Sequence, residues 1–172
     1  MIIFETSRLQ VRSLSNTDIV DLLSVYQQKK NMRYIQSGRT DWTYTELKTK
    51  VERCNQGENG GLWGIFLIEN QQLIGEVGLF DSFEDATHLE MGYILDHFHW
   101  QKGLGYELVK ALMNYAFSEL RIKQLSARMY AENQGSIKLA EKLGMKVYQK
   151  GRTPAGKAFM WFVIDNCLVV SD

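Results

Sequence analysis

Proline is almost missing from this chain, with Pro154 the single example among 172 residues. No Pro-rich linker, low-complexity tract or internal repeat interrupts it, so the reading is one continuous domain over residues 1–172. Cysteine is nearly as scarce. Cys54 and Cys167 lie far apart and form no CxxC pair, which excludes a disulfide framework and a thiolate zinc site. Neither sign of charge prevails, twenty Lys and Arg balancing twenty Asp and Glu. That balance argues against a general polyanion-binding surface, and so against a nucleic-acid partner. No apolar run approaches the roughly 18 residues of a membrane span. The opening MIIFETSRLQVRSLS also meets charges too soon for a signal-peptide core. The expectation is a cytoplasmic protein with no membrane partner.

What is present is regular patterning. RLQVR (8–12) alternates and reads as a strand. Thr17-Asp18 opens a helix with Ile19, Leu22, Leu23 and Tyr26 on one face. The capping-box spacing of Thr43 and Glu46 opens a second, and its stripe of Leu47, Val51 and Cys54 places Cys54 inside. Strands at 62–69 and 73–80 join through Asn70-Gln71-Gln72 as a hairpin. HLEMGYIL (88–95) alternates again, with Leu89, Met91, Tyr93 and Leu95 facing one way. A helix over 104–119, a strand over 124–130, a helix over about 134–143 and strands near 146–150 and 158–165 complete the chain. Seven strands and four helices in the order β-α-α-β-β-β-α-β-α-β-β predict an α+β fold, a mixed, mostly antiparallel sheet flanked by helices. Only the β-α-β unit across 88–130 demands a parallel crossover, and a ligand is expected at its strand-to-helix mouth, residues 96–105.

That mouth reads WQKGLGYELVKAL (Trp100 to Leu112). Behind it Leu104, Leu108, Leu112 and Tyr115 form an inner stripe, with Glu107, Lys110, Asn114 and Ser118 outside. Glycine weakens helices, yet Gly103 and Gly105 stand where the helix N-terminus exposes unsatisfied N–H groups and about half a positive charge. Glycines let an anion approach that backbone, and Lys102 adds a compact cation. A plain tight turn is the alternative. The phosphate loop G-x-x-x-x-G-K-[ST] is absent, and the dinucleotide fingerprint would need glycine where Leu108 stands.

With its neighbours, this stretch resembles the Gcn5-related N-acetyltransferase (GNAT) superfamily, in particular its RimJ/RimL-type ribosomal-protein N-acetyltransferase branch. Trp100, Gly103 and Gly105 fit that branch's form W-x-K-G-x-[A/G], the tryptophan departing from the Gln or Arg of the wider superfamily. ETSRLQVRSLSNTD (5–18), LIGEVGLFD (73–81), LEMGYIL (89–95) and AENQGSIKLAEKLGM (131–145) resemble the family's other segments, in order. The resemblance implies a sheet splayed in the middle and acetyl-CoA as co-substrate. It implies that Trp100 and the amides of Gln101, Lys102, Gly103, Leu104, Gly105 and Tyr106 hold the coenzyme A pyrophosphate. The backbone N–H groups of Ile94 and Leu95 would meet the acetyl carbonyl and the pantetheine amides. Asn133 would contact the pantetheine arm, although it also suits a helix N-cap. The tyrosine that many members of the family use as acid falls at Ala140, so the proton donor would be Ser136, which the resemblance places near the sulfur, or water. Tyr34, Trp42 and Tyr44 would line the acceptor pocket, or simply pack.

Acetyl transfer to an amine needs alignment, a base, oxyanion stabilisation and protonation of the thiolate. Glu90 is the candidate base. Gly92 follows it by two residues, on the same face of the strand, and leaves room beside the carboxylate. The alternative for Glu90 is an ordinary exposed strand position. His97 and His99 flank no further His or Cys cluster, so no metal is expected. Trp63, Phe66, Tyr93 and Trp161 read as core. Neither cysteine falls near the glycine mouth, which points to direct attack in a ternary complex. The acceptor would be a peptide N-terminal α-amine or a small-molecule amine, and the enzyme a monomer or homodimer. The alternative is a non-catalytic acyl-CoA-binding sensor.

Overall fold

The structure is a computed structural model, and residues 1–56, 60–81 and 87–166 are described. The strands are β1 (Ile2–Glu5), β2 (Leu9–Arg12), β3 (Gly61–Leu67), β4 (Leu73–Phe80), β5 (His88–Leu95), β6 (Gln124–Tyr130), β7 (Lys146–Arg152) and β8 (Ala158–Asp165). The helices are α1 (Asn16–Tyr26), α2 (Lys29–Met32), α3 (Tyr44–Cys54), α4 (Leu104–Ser118) and α5 (Gln134–Lys142). One sheet takes the order β1-β2-β3-β4-β5-β6-β8-β7. Every neighbouring pair is antiparallel except β5 with β6, the pair that α4 connects.

The sequence predicts seven strands and four helices; eight and five are described. The additions are β1, a four-residue strand without alternation, and α2, a single turn with no side-chain cap. Neither is long enough to show a period. The first helix begins earlier than Thr17. Ser15 is its N-cap, closing a capping box with Asp18. Cys54 is half-buried rather than inside, because it sits at the last turn of α3. Cys167 lies outside the described residues.

The sheet carries a core on each face. Helices α4 and α5 press Leu104, Leu108, Leu112, Ile137 and Ala140 onto Trp63, Ile65, Val77, Met91 and Leu125. On the other face α1, α2 and α3 cover Phe66, Leu73 and Ile94 with Leu22, Tyr26, Met32 and Leu47. Both faces being covered, β3 and β4 read as near-continuous apolar runs rather than alternating ones. Among the described residues no helix is long and apolar enough to cross a membrane.

Candidate active site

The site begins where two strands part. β5 pairs with β6 only at His88↔Gln124, Leu89↔Leu125 and Glu90↔Ser126. Beyond Glu90, β5 stays with β4 as far as Gly75↔Leu95, while β6 stays with β8 as far as Tyr130↔Phe159. Each strand is held on its outer side, and a gap opens between them. A cavity of about 130 Å³ occupies it, lined by Met91, Gly92 and Tyr93 from β5 and by Ala127, Arg128 and Met129 from β6. Alternate residues of a strand face opposite sides of the sheet. The presence of both parities from both strands means that the cavity passes through the sheet. Ser136, Leu139 and Ala140 of α5 close one side, and Tyr34 and Ile35 the other.

Asp96 N–H donates to Ile74 O at 2.8 Å. Antiparallel alternation then turns the Ile94 amide toward Glu76 of β4, and the amides of Tyr93 and Leu95 toward the gap. The Ile94 and Leu95 side chains are both buried in the core. A close backbone approach fixes this end of the ladder, since a Cβ on Gly75 would lie 2.0 Å from Ile94 O.

Glu90 stands at the last paired position, and Arg128 Nη2 approaches its Oε2 at 3.4 Å. Asn133 caps α5, its Oδ1 accepting from Ser136 N–H at 3.3 Å, and lines the cavity as well. The Ser136 hydroxyl lies 3.1 Å from the Tyr93 hydroxyl. Burial raises the Tyr93 phenol above its ordinary pKa, against the opposing effect of that hydrogen bond. Tyr93, read from the sequence as core, packs against the core and also lines the cavity. Alternation correctly placed it on the face of Leu89 and Met91, but not beside a gap. Of the aromatics expected at the acceptor side, Tyr34 lines the cavity. Trp42 and Tyr44 pack into the core beneath α1 and α3, Trp42 edge-on to Tyr26 at 5.3 Å.

The glycine mouth follows β5 directly. Trp100 Nε1 donates to Leu95 O at 2.7 Å, so the indole braces the loop to the strand end. Gly103 adopts φ +77 as the N-cap of α4, and Gln101 is also left-handed at φ +60. Among the described residues the N–H groups of Gln101, Lys102, Gly103, Leu104, Gly105 and Tyr106 find no protein acceptor. A row of free donors at a helix start is an anion cradle.

Sequence reasoning missed what holds this loop. Glu107, expected outside, accepts from Thr6 Oγ1 at 2.6 Å, Ser7 Oγ at 3.0 Å, and Arg8 N and Nε at 2.9 and 2.7 Å. Arg8 Nη1 in turn donates to Lys102 O at 2.9 Å. Burial would raise the Glu107 pKa, but the bonds from Thr6, Arg8 and Ser7 outweigh it and the carboxyl lies below its ordinary value. The signal was the polar Thr6-Ser7-Arg8 turn, which no local pattern ties to residue 107. Asp96 holds His97 Nδ1 at 3.2 Å and lies 4.0 Å from His99 Nδ1. Burial, then Lys102, lowers the His99 pKa against Asp96.

A parted β5/β6 pair leading into a helix mouth of free amides is the arrangement that the sequence resemblance implied. A profile of the Acetyltransferase (GNAT) domain matches residues 8–146. The chain belongs to the GNAT acetyltransferase family. It is thus an acetyl-CoA-dependent acyltransferase, built on the family's mixed α/β fold. The uncharacterized N-acetyltransferase p20 of Bacillus licheniformis is 32% identical over 145 residues, covering 82% of this chain and 80% of p20. The uncharacterized N-acetyltransferase YoaA of Bacillus subtilis is 24% identical over 146 residues, covering 84% of this chain and 82% of YoaA. RimL, a ribosomal L7/L12 α-N-protein acetyltransferase solved with coenzyme A, superposes with a TM-score of 0.84 at 14% identity, covering 96% of this GNAT chain and 98% of RimL. The spermidine N-acetyltransferase of Vibrio cholerae, solved with CoA and spermine, gives 0.81 at 17% identity, covering 94% and 97%. At those identities the likeness is one of fold.

Proposed function

We propose that this GNAT enzyme acetylates a single primary amine, a peptide N-terminus or a small molecule carrying one amine, by direct attack within a ternary complex. The observation that supports it best is the cavity through the sheet. An amine entering past Tyr34 and a thioester entering past Ser136 would meet between the parted strands, aligned before reaction. Acetyl-CoA supplies the activated acetyl group. The free amides of residues 101–106 hold its pyrophosphate, Lys102 adds charge there, and Asn133 faces the pantetheine arm. Leu95 and Tyr93 offer amides to the acetyl carbonyl and the arm; Ile94 contributes through its buried side chain. Glu90, which borders the gap beside Arg128 but is not among the cavity-lining residues, receives the proton of the attacking amine through solvent. A free α-amine titrates near pH ~7.7–8.0, so a modest base is enough. Ser136 donates to the leaving sulfur.

The charge of the cavity favours a monoamine over a polyamine. Its one charged lining residue among those described is Arg128; Glu90 at 3.4 Å offsets part of that charge, and a second ammonium would find no lining carboxylate to pair with. The test is coenzyme A release from acetyl-CoA across peptides with free N-termini, amino acids, aminoglycosides and spermidine. Peptides or simple monoamines are expected to turn over at least tenfold faster than spermidine. A preference for spermidine refutes the acceptor assignment, and no release with any amine refutes the whole reading.

A further inference from the structure

A serine hydroxyl is a poor proton donor by itself, and α5 carries Ala140 where the family resemblance leads one to expect a tyrosine. The cleft nevertheless contains a phenol, delivered by the central strand instead of the helix. Tyr93 Oη lies 3.1 Å from Ser136 Oγ, and both residues line the cavity between the parted strands. Three further facts constrain this pair. Asn133 Oδ1 fixes the Ser136 backbone by accepting its N–H at 3.3 Å, so the hydroxyl is presented from a capped helix turn and not from a loop. The Tyr93 ring packs against the core formed by α4 and α5, which limits where its oxygen can go. No carboxylate or imidazole lines the cavity among the described residues, so these two hydroxyls are its titratable and relaying groups on the α5 side.

We propose that Tyr93 is a positioning residue that makes Ser136 an effective donor, its phenolic O–H donating to Ser136 Oγ and turning the serine proton toward the leaving sulfur. The inference rests on the acetyl-transfer reading above. As the C–S bond breaks, its electron pair stays on sulfur. Ser136 passes its proton to that sulfur, Tyr93 passes its own to Ser136 Oγ, and Tyr93 recovers from solvent the proton the amine has shed. The sum is amine plus thioester going to amide plus thiol, with nothing left over. Burial keeps the proton on Tyr93 at rest, in the pH range in which an α-amine is free to attack, and disfavours a free phenolate, so its transfer to Ser136 Oγ is concerted with return of a proton from solvent.

The experiment compares wild type, Tyr93→Phe, Ser136→Ala and the double variant in steady-state kinetics with acetyl-CoA and the best monoamine. Phenylalanine keeps the ring and its packing, and thermal denaturation of each variant verifies folding. Expected is a fall in kcat of about 10²-fold for Tyr93→Phe, the lower end for loss of acid–base assistance, with KM for acetyl-CoA within about twofold. Ser136→Ala is expected to match it, and the double variant to be little worse than either single, as for groups acting as one unit. An ultraviolet difference titration of wild type against Tyr93→Phe reads the phenol without any turnover. It is expected to titrate above an ordinary tyrosine, and to move when Ser136 is replaced by alanine. Unchanged kcat in a folded Tyr93→Phe, or single effects that multiply in the double variant, overturns the relay. If wild type acetylates nothing, the acetyl-transfer reading fails instead, while the titration still reports whether the two hydroxyls are coupled.

Discussion

Replacing Glu107 by Gln tests how the start of α4 is held. One carboxylate oxygen takes Thr6 Oγ1, Ser7 Oγ and Arg8 N; the other takes Arg8 Nε at 2.7 Å and Nη2 at 2.6 Å. A glutamine carbonyl can replace the first oxygen, so those three bonds survive. Its amide replaces the second and points donors at the Arg8 guanidinium, so those two are lost. Hydrogen bonds to charged groups are worth about 1.5–3 kcal/mol when shielded, but the Arg8 side chain is 49% exposed, which cuts the pair to under about 1 kcal/mol. Loss of a negative charge from the first helical turn adds about 0.3–1 kcal/mol. The expected cost is about 1.5 kcal/mol, or a Tm lower by roughly 3–6 °C for a chain of this size. Alanine, which abandons every bond, should cost about twice as much. The pH dependence has a definite sign. A lowered carboxylate pKa contributes stability that is present above the ordinary value of 4.5 and lost as pH falls through the folded one. Calorimetric Tm values of wild type and Glu107→Gln should thus be separated at pH 7 and converge in acid below about pH 4.5. A gap that persists unchanged in acid, or an alanine variant no worse than glutamine, refutes this account of the loop.

Gly75→Ala places a Cβ 2.0 Å from Ile94 O; it should cost about 3 kcal/mol or more in denaturant unfolding, with wild-type stability disproving the close approach. Lys50→Met strips the cation from Glu76, whose side chain is 5% exposed and bonded to Lys50 Nζ at 2.8 Å. A loss of about 3–5 kcal/mol is expected, largely recovered on adding Glu76→Gln, and absence of that recovery counts against a buried-charge origin. Glu90→Gln should lower turnover and alter its pH profile while leaving acetyl-CoA affinity nearly intact; an unchanged profile removes Glu90 from the mechanism.

Features set by residues near one another in sequence are legible in the chain. Thr43 and Glu46 form the capping box their spacing predicted, the Leu104–Leu108–Leu112 stripe faces the core, and β5 and β6 are the single parallel pair among the described residues. These depend on periods and short separations that a chain displays directly. Features set by distant segments have the opposite property. Tyr93 has the alternation of a core residue, and only the departure of β6 after Ser126 turns its position into a cavity wall. Glu107 sits on the outer stripe of an isolated helix, and only the β1–β2 turn, about a hundred residues away in sequence, buries its carboxylate. Trp42 and Tyr44, which the resemblance set with Tyr34 on the acceptor side or in packing, are half-buried against the second core.

The chain by itself determined the capping-box start of α3, the hydrophobic faces and the left-handed glycine at the mouth of α4, Gly103, because each is set by dihedral preference and burial within one segment. Tertiary structure alone decided where the sheet would open. Each strand carries hydrogen-bonding groups along both edges, and nothing in its own residues says which edge will be left unpaired once its neighbours have docked.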